Sequence, residues 1–103
     1  MSDETRIFDN TEAQRFELHA GDQRVGLADY RPQDGALALV HTEVDPRHGG
    51  HGYGSALVRA ALDSARDRGL SVLPHCSFVR DWIGAHPEYL DLVPESQRPS
   101  FGL

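Results

Sequence analysis

The sequence contains no lysine: its ten basic side chains, histidines aside, are all arginines. Without a lysine amine the chain can form no Schiff base. It also cannot build a P-loop whose lysine grips a nucleotide phosphate. A single cysteine, Cys76, excludes an internal disulfide framework. Apolar runs are short, far below the roughly 20 residues that span a bilayer, and the N-terminus shows no signal-peptide pattern. There is no internal repeat and no low-complexity tract. Positive charge is also scarce, since sixteen acidic residues against ten arginines give a formal net charge of −6. Bulk charge of that sign argues against nucleic acid or a membrane surface as partner. The expected location is the cytoplasm.

What is present is an ordinary globular mixture, 39% hydrophobic and 25% charged over 103 residues, enough for one domain with its own core. Residues 1–14 are polar and read as a partly mobile lead-in. "RFELHA" (15–20) alternates apolar and polar residues, as a strand with one buried face does. "GD" at 21–22 fits a hairpin turn, and "QRVGLADYR" (23–31) alternates again, with Val25, Leu27 and Tyr30 inward. Pro32, Asp34 and Gly35 punctuate a second turn. "ALALVHTEVD" (36–45) is the most apolar strand, so it is expected to be central.

Leu57, Val58, Ala61, Leu62 and Ala65 then recur at helical spacing across 55–68, and Gly69 is placed to end that helix. "LSVLP" (70–74) reads as a buried strand parallel to 36–45, because a helix separates the two. "SFVRDWIGAH" (77–86) reads as a short helix burying Phe78, Val79, Trp82 and Ile83. The tail from Pro87 is expected to be irregular, with Tyr89, Leu90, Leu92 and Val93 covering the core. The expected fold class is α/β: an antiparallel β-meander followed by helix, parallel strand and short helix.

Between the third strand and the first helix lies "VDPRHGGHGYGSALV" (44–58), with four glycines and two histidines. Three readings compete. A phosphate cradle uses the unpaired amides and partial positive charge of a helix N-terminus, with glycines admitting an anion close to the backbone. Ser55 can add a hydroxyl donor. A zinc site would draw on His48, His51, His75 and Cys76, although a glycine-rich turn is a poor frame for closed tetrahedral coordination, so no metal is expected. A plain connection needs no ligand. The Rossmann fingerprint fits poorly, because Gly50-x-Gly52-x-Gly54 lacks its spacing and the preceding strands are antiparallel.

"VDPRHGGHGYGSALVRAALDSARDRGL" resembles the pyrophosphate loop and helix of the GNAT superfamily of acetyl-CoA-dependent N-acetyltransferases. That family's pattern is Arg or Gln, two residues, Gly, one residue, Gly or Ala. In one register Gly49 stands where the Arg or Gln is customary, with Gly52 and Gly54 in the small positions. In the other, Arg47-x-x-Gly50-x-Gly52 fits literally. The first register enters the helix as family members do. "HTEV" (41–44), "P-x-C-x-F-V" (74–79) and "HPEY" (86–89) extend the likeness to the family's small stand-alone YjdJ-type branch.

The resemblance covers residues 15–93 and implies a compact, truncated GNAT-like domain there, with 94–103 as an irregular tail. It implies a cleft where strands 36–45 and 70–74 splay apart. The backbone of Glu43 and Val44 would contact the pantetheine arm of acetyl-CoA, and Gly49, Gly50, His51, Gly52, Tyr53, Gly54 and Ser55 would bind the pyrophosphate. The implied partners are acetyl-CoA and an amine acceptor, on a monomer or homodimer.

Acyl transfer needs either a base for the amine's proton or a nucleophile that carries the acyl group. Cys76 precedes the short helix, whose dipole would favour its thiolate if it caps that helix; a single cysteine beside apolar residues is more often an inert buried thiol. The branch resemblance implies a catalytic thiol at Cys76. Glu43 is a candidate base at the end of its strand or a surface charge there. His41 alternates onto the same face as Glu43 and is either its partner in the cleft or a core histidine. His75 would point away from Cys76, and His86 is read as ending the short helix before Pro87. Three functional readings follow: an acetyl-CoA-dependent N-acyltransferase working directly or through Cys76, a non-catalytic CoA-binding or protein-interaction module, and, least expected, a zinc hydrolase.

Overall fold

The alternating segments pair into a sheet as expected, and the sheet gains one strand from the polar N-terminal stretch. The structure, a computed structural model, describes residues 4–103. Its strands are β1 (Thr5–Asn10), β2 (Arg15–Ala20), β3 (Gln23–Gln33), β4 (Ala36–Val44) and β5 (Ser71–Pro74); its helices are α1 (Tyr53–Asp67) and α2 (Ser77–Ala85). The sheet order is β1-β2-β3-β4-β5, antiparallel as far as β4, with β5 parallel to β4. Turns at Gly21 and Gly35, with φ of 61° and 67°, close the β2–β3 and β3–β4 hairpins in a backbone region that favours glycine. A parallel neighbour requires a crossover, and α1 supplies it.

Both α-helices pack on one face of the sheet. Leu57, Val58, Ala61, Leu62 and Ala65 of α1 are fully buried against Phe16, Leu18, Ala28, Tyr30, Leu37 and Leu39. Each fully buried leucine or valine there stabilises by about 1.5–3 kcal/mol. Val79, Trp82 and Ile83 of α2, with Tyr89, Leu92 and Val93 beyond it, complete the same cluster. The helix ends in a Schellman arrangement: Gly69 takes φ 67°, Leu70 N–H donates to Ala65 O at 2.8 Å, and Gly69 N–H donates to Arg66 O at 3.1 Å.

On the opposite face, Glu17 is buried yet fully partnered. His19 Nε2 donates to its Oε1 at 2.8 Å, and Arg15 Nε and Asn10 Nδ2 donate to its Oε2 at 2.7 and 3.0 Å. The His19 bond, followed by those from Arg15 and Asn10, outweighs burial and holds the Glu17 carboxyl down at about 2. Farther along this face, Ala36, Ala38 and Leu73 form a second cluster that Phe101 covers.

Several expectations are corrected. The lead-in assigned to 1–14 contains β1, which pairs with β2 from Thr5↔Ala20 to Asn10↔Arg15; residues 1–3 of that assignment lie outside the described residues. Thr5, Ile7 and Phe8 favour a strand but Asp9 and Asn10 do not, and pairing with the neighbouring strand decides the segment. Pro32 belongs to β3, opposite Leu37, and the turn is confined to Asp34–Gly35. β2 pairs with β3 only as far as Asp29, so Pro32 sits where no neighbour needs its missing N–H. The tail is not irregular, since 3-10 turns run over Pro87–Leu92 and Glu95–Phe101. Phe78 is 44% exposed, not buried, because the first turn of α2 directs it over Gly54 rather than into the core.

Register shifts at Leu18/His19 in the β2–β3 pair and at Asp29/Tyr30 in the β3–β4 pair deform the sheet. On β4 the partners step from Leu39↔Tyr30 to His41↔Asp29, leaving Val40 as an extra, bulged residue. At the same level the β4–β5 pairing stops: its last pair is Leu39↔Pro74, followed by one bond from Cys76 N–H to Leu39 O at 3.0 Å. Residues 40–44 run on without a strand on that side. The parallel strands therefore part at the bulge.

Candidate functional site

The glycine-rich stretch leaves the end of β4 and is anchored at its first residue. Asp45 N–H donates to Val25 O at 2.8 Å, tying the strand end to β3. Asp45 Oδ1 accepts from Arg47 N–H at 2.9 Å and caps the 3-10 turn Pro46–His48. The Arg47 guanidinium returns to the same carboxylate, Nε to Oδ1 at 3.2 Å and Nη2 to Oδ2 at 2.9 Å. The Arg47 side chain, then its backbone amide, holds the Asp45 carboxyl at about 2. Arg47 is thus committed to Asp45, which bears on the register in which it would serve the loop.

Beyond this turn the backbone uses glycine where only glycine is easy. Gly50 and Gly52 adopt φ 83° and 73°, and Gly52 is the N-cap of α1. The first helical bond runs from Ala56 N–H to Gly52 O at 3.0 Å. The amides of Tyr53, Gly54 and Ser55 have no intrahelical partner, and no side chain caps them. The first turn also lacks an acidic residue. Three backbone donors and the positive end of a fifteen-residue helix dipole thus face outward beside exposed glycines. Gly54 has a packing reason of its own, because an added Cβ would lie 2.9 Å from Phe78 Cζ.

The imidazoles of this stretch pack on Tyr53 rather than on one another's nitrogens. His51 stacks on the Tyr53 ring at 5.1 Å and 18°, and the His48 ring centroid lies 6.5 Å from it. His75 meets Phe101 edge-on at 5.3 Å. Among the described residues no three His, Cys, Asp or Glu side chains stand where they could share a metal ion.

Cys76 is the N-cap residue of α2 and is half-buried, with Sγ 3.7 Å from Thr42 Oγ1 across the parting of β4 and β5. His41 and Glu43 approach each other to 4.0 Å (Nε2 to Oε2) and are 58% and 64% exposed. Strand alternation places these two pairs on different faces. Ala28↔Thr42 lies on the face that α1 covers, whereas Asp29↔His41 and Leu27↔Glu43 lie on the other. The structure therefore joins Cys76 to Thr42 and His41 to Glu43, and it separates the two pairs by the thickness of the strand. Thr42 went unnoticed in the sequence, where nothing marks a lone threonine between His41 and Glu43. Locating it needs the register at which β5 stops.

A cleft of about 330 Å³ opens where Val25–Leu27 of β3 meets Glu43–Pro46, so Glu43 and Val44 both line a cavity. Gly26 forms part of its wall. A Cβ there would come within 2.9 Å of Leu57 Cδ1 and 3.2 Å of Glu43 O, so glycine is what lets the helix and strand end approach.

"HPEY" is structural. His86 is the C-cap residue of α2; its Nδ1 donates to Trp82 O at 2.7 Å, and its ring stacks on Trp82 at 3.8 Å. Tyr89 Oη donates to Asp63 Oδ1 at 2.7 Å, a bond that, with burial, raises the Tyr89 pKa. Arg66 of α1 binds both Asp91 carboxylate oxygens (2.8 and 2.9 Å) and Glu88 O (3.1 Å).

Over residues 15–92 the sequence matches the family described as GCN5-related N-acetyl-transferase. The fold is similar to the NMR solution structure of a GCN5-like N-acetyltransferase candidate from Staphylococcus aureus, with a TM-score of 0.67 and 24% identity over 91% of each chain. No curated protein matches the sequence.

Proposed function

Because this chain belongs to the GCN5-related N-acetyltransferase family, we propose that it binds acetyl-CoA on the Gly49–Ser55 turn and moves the acetyl group to an amine. The observation that carries this reading is the N-terminus of α1. It is uncapped, it is entered through glycines at φ 83° and 73°, and it stands directly after the strand that has parted from β5. Such an end fits a diphosphate, since its amides need an anion and its glycines put no Cβ in the way. Gly49, Gly50, His51, Gly52, Tyr53, Gly54 and Ser55 would hold the pyrophosphate, and the backbone of Glu43 and Val44 would hold the pantetheine arm. The bound thioester supplies an activated acyl group; the protein supplies orientation.

With Arg47 paired to Asp45 and glycine at 49, backbone amides and the Ser55 hydroxyl do most of the phosphate binding. Linkage gives the first test. Acetyl-CoA at a hundredfold excess over its Kd is expected to stabilise the protein by about 2.7 kcal/mol, read as a rise in melting temperature. Calorimetry showing no heat of binding at millimolar acetyl-CoA would overturn the assignment.

Two routes for the acetyl group differ in the residue that does the work. In direct transfer, Glu43, paired with His41, takes the amine's proton on the solvent face of β4. In the relayed route, Cys76 Sγ would displace CoA as its free thiol to form an acetyl thioester, and the amine would then displace Sγ, returning the Cys76 thiol. It stands at the N-cap of α2, and its polar neighbour is Thr42 and not a carboxylate. Intact-mass measurement after incubation with acetyl-CoA separates the routes. The relay predicts one added acetyl group on the wild type and none on Cys76→Ala. An unmodified wild type that still turns over assigns the reaction to direct transfer. Binding without release of free thiol, across a broad panel of amines, would identify a non-catalytic CoA-binding module.

A further inference from the structure

Ser55 and Trp82 lie 27 positions apart in the sequence, yet they share a hydrogen bond whose direction is fixed by chemistry. Trp82 Nε1 stands 3.0 Å from Ser55 Oγ. An indole nitrogen carries a hydrogen and offers no acceptor lone pair, so Trp82 donates and Ser55 accepts. The serine hydroxyl has a single hydrogen of its own to give. No acceptor takes it among the described residues, and Ser55 is the third residue of α1, in the turn whose amides are uncapped.

Trp82 is itself held in place from three directions. The His86 ring stacks on it at 3.8 Å with an interplanar angle of 12°, and the same imidazole bonds the Trp82 carbonyl through Nδ1 at 2.7 Å. The Arg59 guanidinium lies 5.3 Å from its ring centre, and Tyr89 packs against it at 5.2 Å. Tyr89 in turn is bonded to Asp63 of α1. The indole is 6% exposed, so it has little freedom to leave the serine.

We propose that Trp82 is a positioning residue for the anion site: by occupying the acceptor side of Ser55, it directs that hydroxyl's hydrogen to a phosphate oxygen of bound CoA. His86 holds the indole in that pose, which gives the "HPEY" segment a part in ligand binding as well as in packing. The inference rests on the reading of Gly49–Ser55 as the pyrophosphate turn. A hydroxyl whose lone pair already accepts a hydrogen bond is also a stronger donor, because chained hydrogen bonds polarise one another.

A double-mutant cycle on acetyl-CoA affinity tests it. Trp82→Phe keeps an aromatic ring for His86 and Arg59 to pack on and removes the N–H together with part of the bicycle; Ser55→Ala removes the hydroxyl. Loss of a hydrogen bond to a charged phosphate weakens binding about tenfold, so Ser55→Ala is expected to raise Kd by roughly that factor. Trp82→Phe should raise it several-fold, and the double variant should bind no worse than Ser55→Ala alone. Effects that multiply in the double variant, or an unchanged Kd in either single one, overturn the proposal.

The sequence has one tryptophan, so the wild type supplies a second readout that needs no substitution. The lone indole N–H resonance should shift on saturation with acetyl-CoA; a resonance that stays put while the protein binds overturns the proposal and leaves the pyrophosphate assignment standing. A wild type that binds no acetyl-CoA overturns both.

Discussion

Valine at position 52 is expected to abolish acetyl-CoA binding in a protein that still folds. Gly52 holds φ 73° as the N-cap of α1, a conformation that a β-branched residue adopts only under strain of about 1–3 kcal/mol. An added Cβ would meet no atom within 4 Å, so the lesion is conformational and not a clash in the core. Relief of the strain must rotate the peptides on either side of residue 52, and these border the amides that would bind the phosphates. Stability should therefore fall by no more than about 1–3 kcal/mol. Affinity should drop by at least about a hundredfold, as expected when several charge-assisted hydrogen bonds are lost together. Calorimetric titration and a melting curve on the same sample check both halves. An unchanged affinity would make the loop a plain connection.

Acid should destabilise the protein in part through Glu17, which lies away from the anion site. Its carboxyl sits at about 2 in the fold, against 4.5 unperturbed. Between those two values the unfolded chain binds the proton and the folded chain does not. Stability from this group is thus fully present above about pH 4.5 and is lost as pH falls toward 2. Glu17→Gln keeps the shape and removes the charge that His19, Arg15 and Asn10 bind. The variant should lose about 2–3 kcal/mol at neutral pH, with a flatter pH profile below 4.5. Glu17 lies on the face opposite α1, so its acetyl-CoA affinity should match that of the wild type. Chemical denaturation at a series of pH values reads the first effect; an equal loss at pH 7 and pH 3 would show that the carboxylate is not the stabilising species.

Patterns that repeat along the chain were legible, and positions set by pairing were not. Leu57, Val58, Ala61, Leu62 and Ala65 announce α1 because helical spacing is a local property. Parallel pairing of β4 with β5 follows from the helix between them. β1 escaped because "TRIFDN" mixes strand formers with Asp and Asn, and its place is decided by β2. Phe78 was misplaced because a one-residue rotation at the start of a short helix carries a side chain from core to surface. At the site, glycines and helix start could be read directly. The separation of Cys76–Thr42 from His41–Glu43 could not, since it depends on the bulge at Val40 and on where β5 stops. The Trp82–Ser55 bond was likewise hidden, because helical spacing marks Trp82 for the core and gives no hint of what its nitrogen will meet.

The way the sheet ends bears on how the protein behaves among its own copies. An exposed strand edge is a template for another chain, and long apolar edges invite aggregation. Both outer strands here are poor templates. β5 is four residues long and closes on Pro74, which has no N–H to offer. β1 is largely polar, and the Arg6 guanidinium lies 5.5 Å from the ring centre of its one large exposed hydrophobic residue, Phe8. Residues 40–44 of β4 are different, since one side of their backbone is left without a strand by the early stop of β5. That open side follows the end of β5, where Cys76 leads into α2, so the sheet's one unpaired inner stretch lies beside a helix start and not along an outer strand.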